Sequence, residues 1–99
     1  MNITIQSVRF TASAQLEEFI QQKVAKMGQF FDGIVSAEVI LKLDKSDSTE
    51  NKVTEISLNI PGGELFAKKQ CKTFEEGVDL SVDALRKQLI KWKEKVRAK

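Results

Sequence analysis

The sequence predicts an α+β domain, a two-layer β-α-β-β-β-α sandwich with a four-stranded sheet and two helices on one of its faces. Three observations lead there. Apolar residues recur at helical period in two stretches, Leu16, Phe19, Ile20, Val24 and Met27 early on and Val78, Val82, Leu85, Leu89, Trp92 and Val96 at the end. Residues 35–43 and 52–60 alternate apolar and polar side chains, as half-buried strands do. Pro61-Gly62-Gly63 then forms a tight reversal, so that a further strand over 64–71 pairs antiparallel as a hairpin.

Taken in order, residues 1–10 begin with alternation at Ile3 and Ile5, then shift phase to Val8 and Phe10. That pattern predicts a first strand ending or bulging near Gln6 and Ser7. Thr11 and Ser13 can both cap a helix, and Ser13 is the better candidate because the apolar seam starts just after it. A helix of about four turns follows, with Gly28 expected to loosen or stop it. Phe30 and Phe31 are expected to anchor the connection in the core.

In 35–43, Val35, Ala37, Val39, Leu41 and Leu43 share one face, with Ser36, Glu38 and Lys42 on the other. Residues 44–51 (DKSDSTEN) hold no apolar residue and read as a mobile loop. Ile56, Leu58 and Ile60 point inward from the next strand. The first strand, helix and second strand close as a right-handed crossover with parallel strands, and the hairpins extend the sheet antiparallel. The far sheet face, with Ser36, Glu38, Lys42, Glu55, Ser57 and Asn59, is expected to be wet.

The last helix organises the rest. Thr73 followed by Glu76 reads as a capping box, and a helix from Phe74 to Arg97 would be ~36 Å long. Glu75, Glu76, Asp79 and Asp83 suit the positive end of the helix dipole. From Arg86 onward come Arg86, Lys87, Lys91, Lys93, Lys95, Arg97 and Lys99 against Glu94 alone. At 3.6 residues per turn they form two stripes, Lys87, Lys91 and Lys95 on one side of the seam and Arg86, Lys93 and Arg97 on the other.

A chain of 99 residues makes one domain, 1–99, with a modest core. Its net charge of +2 conceals a division: residues 1–67 carry six Lys/Arg and nine Asp/Glu, and 68–99 carry ten and five. A molecule polarised in this way points to a polyanionic partner or an acidic lipid surface. No run of 18 apolar residues and no export leader occurs. The lone Cys71 excludes an intramolecular disulfide and fits a reducing cytoplasm.

Catalysis has little to work with. Histidine and tyrosine are absent, which removes the commonest general acid–base and metal ligand. The adjacent pairs Glu17–Glu18 and Glu75–Glu76 point apart on their helices and favour the dipole instead. Gly62-Gly63 is a turn, and no phosphate-binding glycine motif occurs. Cys71 reads as a small residue at a strand end rather than a redox thiol, although Lys69 and Lys72 would lower its pKa. Trp92 lies on the seam and reads as core. No catalytic residue, metal, cofactor or small-molecule substrate is expected.

The basic cluster remains. A merely solvated helix would interleave glutamates for i,i+4 support, so the cluster reads as a polyanion surface. Lys23 and Lys26 on the first helix, with Lys68, Lys69 and Lys72 ahead of the second, extend it if the helices lie side by side. The aromatic RNP signature and the GXXG loop are both missing. Such a surface binds through phosphates and shape, which suits structured RNA better than a specific sequence.

Several blocks resemble a known family. Leu16-Glu17-Glu18-Phe19, Lys23-Val24-Ala25-Lys26-Met27 and Gln29-Phe30-Phe31-Asp32 are similar to the first helix and turn of the bacterial ribosome hibernation-promoting factors. Val39-Ile40-Leu41-Lys42, Gly62-Gly63-Glu64-Leu65, Asp83-Ala84-Leu85, Gln88-Leu89 and Lys91-Trp92-Lys93-Glu94-Lys95 resemble its later blocks, so the match covers nearly the whole chain in order. The resemblance implies a double-stranded-RNA-binding-domain-like fold and a cytoplasmic translation inhibitor that keeps idle ribosomes intact under stress or in stationary phase. By the same resemblance it would occupy the mRNA/tRNA channel of the 30S subunit, within the 70S ribosome, against 16S rRNA. The implied RNA-binding residues are Lys23, Lys26, Lys87, Lys91, Lys93 and Lys95, and the charge stripe adds Arg86. Ala84, Glu75 and Phe30 depart from the family pattern, where lysine, an aromatic and tyrosine are common.

The short form of the family is the nearer match, since neither a second, dimer-forming domain nor a long acidic tail is present. Pairing of ribosomes would then fall to another dimerising factor. Other readings are a general duplex-RNA binder or RNA chaperone and a protein adaptor using the open sheet face and the 44–51 loop. A membrane-surface helix is a further reading, disfavoured because the seam is needed for the core.

Overall fold

Alternating burial along the strands decides which face of the sheet is dry. Ala37, Val39 and Leu41, then Ile56, Leu58 and Ile60, and finally Ala67 are buried under the two helices. In the computed structural model, which describes residues 1–45 and 49–97, the elements run β1 (Asn2–Val8), α1 (Ala14–Phe30), β2 (Ser36–Leu43), β3 (Lys52–Ile60), β4 (Gly63–Cys71) and α2 (Phe74–Arg97). Residues 46–48 of the expected mobile loop, Lys99 and the side chain of Arg97 lie outside the described residues.

Strand order in the sheet follows chain order, β1-β2-β3-β4. β1 runs parallel to β2 from Asn2↔Ser36 to Val8↔Lys42, and both later pairings are antiparallel. The reversal after β3 has Gly62 at φ 83°, a conformation that glycine adopts without steric cost.

Both caps form. The Leu16 N–H donates to Ser13 Oγ at 3.1 Å, and the Glu76 N–H donates to Thr73 Oγ1 at 3.1 Å. On the seam of α2, Val78, Leu85 and Leu89 are fully buried against β3, β4 and α1. Burying side chains of this size stabilises by about 1.5–3 kcal/mol each. Val82 and Trp92 are half-buried, and Val96 at the end of the seam is exposed.

The structure corrects five expectations. β1 is unbroken, with one-to-one pairing and no bulge; the phase shift comes after it, at Arg9, whose φ of 69° turns the chain. Phe10 is thereby stacked on Phe74, ring centroids 5.0 Å apart. Gly28 does not stop α1, which continues to Phe30. A Cβ at Gly28 would come within 2.9 Å of the Met1 side chain, so a close approach explains this glycine better than a helix end does.

Phe31 is the core anchor at 9% exposure, whereas Phe30, at 57%, is not. Val35 and Leu43 lie at or beyond the ends of β2, past the cover of the helices, and are exposed rather than inward. The open face of the sheet carries the Lys42–Glu55 ion pair at 2.7 Å and the Asn59–Ser36 hydrogen bond at 2.7 Å. It is not wholly polar, however, because Phe66, opposite Ser57 in the register, stands exposed there.

Near the start of α2 the packing is unusually close. Thr54 and Ser81 are fully buried, and neither hydroxyl has a hydrogen-bond partner among the described residues. Gly77 lets the helix settle onto β3, since a Cβ there would meet Thr54 Oγ1 at 2.5 Å.

Candidate nucleic-acid interface

The two apolar seams dictate how the cations are arrayed. α1 and α2 pack side by side on the sheet, leaving a cleft of about 220 Å³ between their outer edges. Lys23, Lys26 and Phe30 line it from α1, with Asp79, Asp83 and Arg86 from α2.

Arg86 and Lys93 are seven residues apart, two helical turns, and therefore share the edge of α2 that faces α1. The Arg86 guanidinium lies 5.5 Å from the centroid of the Phe30 ring, and Lys93 Nζ lies 5.2 Å from that of Phe31. Cation–aromatic contacts at exposed sites contribute about 0.5–1 kcal/mol each. Here they also hold two long side chains in place, Arg86 in the cleft and Lys93 further along α2, beside a separate hollow lined by Phe31, Gly33 and Trp92.

Lys23 Nζ is 3.1 Å from Asp79 Oδ1 across the helix pair, and 5.6 Å from the Phe19 ring on its own helix. Lys87 Nζ is 3.5 Å from Asp83 Oδ2, one turn earlier on α2. Both pairs are largely exposed, and such pairs contribute about 0–1 kcal/mol. A phosphate can therefore take either lysine at little cost. Lys26, Lys91 and Lys95 are exposed, with no ion-pair partner among the described residues.

The second stripe does not flank the seam as expected. Lys87, Lys91 and Lys95 centre roughly 140° around the helix from it, on the outer surface of α2. The positive surface is thus broader than a pair of shoulders, running from the inter-helix cleft over the back of α2. Nor do all the lysines ahead of α2 extend it. Lys68 stands opposite Glu55 on the open sheet face, and Lys69 is opposite the buried Thr54. Lys69 thus lies on the helix-covered side of the sheet, half-buried, and Lys72 is exposed beside the start of α2, so these two stay on that flank while Lys68 does not.

Cys71 is buried, and desolvation pushes its thiol above the ordinary value. Glu76 and Glu50 push in the same direction, and Lys69 opposes them only in part. The lysines foreseen as activating it do not prevail. No described helix is long and apolar enough to cross a membrane.

Sequence reasoning assembled the cations but missed Phe30 and the two aspartates as parts of the cleft. The Asp83–Lys87 spacing was legible as an i,i+4 pair. The Phe30–Arg86 contact was not, because it joins separate helices.

Comparison with known proteins bears on this surface. The model of the sigma 54 modulation protein / S30EA ribosomal protein family matches residues 3–97. The ribosome hibernation promoting factor of Escherichia coli strain K12 is 34% identical over 97 residues, covering 98% of this chain and 96% of that protein. The factor of the same name from Pseudomonas putida is 33% identical over 95 residues, covering 96% and 89%. Among solved structures, a ribosomal subunit interface protein from Coxiella burnetii superposes with a TM-score of 0.84 at 23% identity, over 95% of this chain and 99% of that one. The N-terminal domain of Thermus thermophilus Protein Y gives 0.79 at 22%, over 93% and 99%. At these identities the structural matches speak for the fold.

Proposed function

The chain belongs to the sigma 54 modulation protein / S30EA ribosomal protein family, and from that premise we propose that it is a non-enzymatic, cytoplasmic inhibitor of translation that holds ribosomes inactive. It binds the 30S subunit, alone or within the 70S ribosome, through 16S rRNA at the decoding region. Occupancy is the mechanism: the protein fills the channel that mRNA and tRNA would use. Lys23, Lys26, Arg86, Lys87, Lys91, Lys93 and Lys95 neutralise the phosphates.

The observation that supports this most is the charge of Lys26, Lys91 and Lys95, exposed and without an ion-pair partner among the described residues, together with the aromatic-held Arg86 and Lys93 on the α1-facing edge of α2. Phosphates are its natural complement, and little on it reads base edges.

Co-sedimentation with purified 30S subunits and 70S ribosomes over a salt series tests the proposal. One copy per small subunit is expected at saturation, lost in Lys26→Glu/Lys91→Glu, with a log–log salt slope of roughly −0.7 to −0.9 per phosphate neutralised. Initiator tRNA and mRNA are expected to compete. Binding without saturation, or equal competition by naked duplex RNA, would mean a general RNA binder instead.

A further inference from the structure

The core does not account for Phe30, and holding Arg86 uses only one side of its ring. Its neighbour Phe31 already anchors the end of α1 at 9% exposure, yet Phe30 is 57% exposed at the mouth of the inter-helix cleft. Burial rewards an aromatic ring, and this one is left in water with a guanidinium 5.5 Å from its centroid. Lys26 and Arg86 line the same cleft.

From this juxtaposition we propose that Phe30 and Arg86 form a stacking platform for one unpaired nucleotide of the bound RNA, the base lying on the Phe30 ring and the adjoining phosphate held by Arg86 and Lys26. The inference rests on the RNA-binding reading above and adds to it a contact that reads the presence of a base. Arg86 takes up one side of the ring and polarises it, which leaves the rest of the exposed ring for a second flat group. A base within a duplex is covered on both faces by its neighbours, so only a splayed nucleotide can reach the ring. The charge beside the ring selects against an apolar peptide. In the cleft floor Met27 is buried and Val82 half-buried, so little further apolar surface is offered to a protein side chain.

The test compares wild type with Phe30→Ala, Phe30→Leu and Phe30→Tyr, in binding to 30S subunits over a salt series and in binding to a short oligoadenylate RNA and its abasic ribose-phosphate counterpart of equal charge. Because Phe30 is exposed, all three variants are expected to melt with the wild type. Phe30→Ala and Phe30→Leu are expected to weaken 30S binding roughly 5- to 150-fold, the range for one stacked base, with the salt slope unchanged. Phe30→Tyr is expected to bind as wild type does. Wild type is expected to prefer the oligoadenylate to the abasic strand, and Phe30→Ala to lose that preference.

Unchanged 30S affinity in Phe30→Ala overturns the proposal. So does a slope that becomes shallower by one phosphate contact, because Phe30 would then only position Arg86. Equal binding of the two oligonucleotides by wild type overturns it as well. Failure of wild type to bind 30S subunits at low salt would instead sink the ribosomal reading, and the oligonucleotide comparison would still decide whether a base stacks here.

Discussion

Lys23 on α1 reaches across the helix pair to Asp79 on α2, Nζ to Oδ1 3.1 Å, and so a carboxylate occupies a lysine of the proposed phosphate surface. The acidic first half of α2 suits the helix dipole, but it also places Asp79 and Asp83 within the cleft. The fold thus keeps part of its positive charge internally compensated.

Asp79→Asn should therefore tighten RNA binding. Removing the carboxylate frees Lys23 and takes a repelling charge out of the cleft, while the loss of an exposed pair changes stability by no more than ~1 kcal/mol. A several-fold gain in 30S affinity with a steeper salt slope is expected in co-sedimentation. Weaker binding would mean that the pair orients Lys23 for its contact.

Gly77→Ala should destabilise the fold even though alanine normally favours a helix by ~1 kcal/mol. The new Cβ would stand 2.5 Å from Thr54 Oγ1, and relieving such overpacking typically costs about 1–3 kcal/mol. Thr54→Ala in the same chain removes the obstructing hydroxyl. Urea denaturation of the two single variants and the double variant should give a double loss smaller than the sum of the single ones.

Arg9→Gly should hold or raise stability, by up to ~1 kcal/mol. A non-glycine residue in the left-handed region costs about 1–2 kcal/mol, and Arg9 sits there at φ 69°. Part of the gain is offset by the greater freedom of glycine in the unfolded chain. Arg9→Val should lose stability, and its near-ultraviolet spectrum would report whether the Phe10–Phe74 stack survives.

Cys71 should react slowly with alkylating reagents in the folded protein at neutral pH. Its thiol is raised by burial first and by Glu76 and Glu50 next, so the folded state holds this proton longer than the unfolded state does. That contribution is fully present below the ordinary thiol value of the unfolded chain and is lost as pH rises through the higher folded value. Urea midpoints of wild type and Cys71→Ala, compared over about pH 8 to 10, should show the steeper alkaline decline in wild type.

The element order was legible because period and punctuation agreed: strand β3 was placed to the residue, and both caps were read from single hydroxyl side chains. The errors have a common physical origin. The phase shift to Val8 and Phe10 read as a strand that ends or bulges near Gln6 and Ser7, because periodicity cannot see a left-handed residue just after the strand, which is what Arg9 supplies. Gly28 looked like a stop signal because its reason, the side chain of Met1, lies far away in sequence. Phe30 and Phe31 look alike as letters; their different fates depend on which direction the last turn of α1 faces. At the site, charge could be counted but not aimed, so Lys68 was added to a surface from which the strand register turns it away.

The helix that closes the core is also the helix that supplies most of the proposed binding charge. A chain interrupted during synthesis before Val78 would leave Ile56 and Leu58 without their cover and would lack every cation from Arg86 onward. Core cover and most of the proposed binding charge therefore arrive on the same helix. On the proposed function, a copy that stops before Val78 would lack core cover and binding charge together, and so would present itself to proteases as an unfolded chain rather than act as a weak inhibitor.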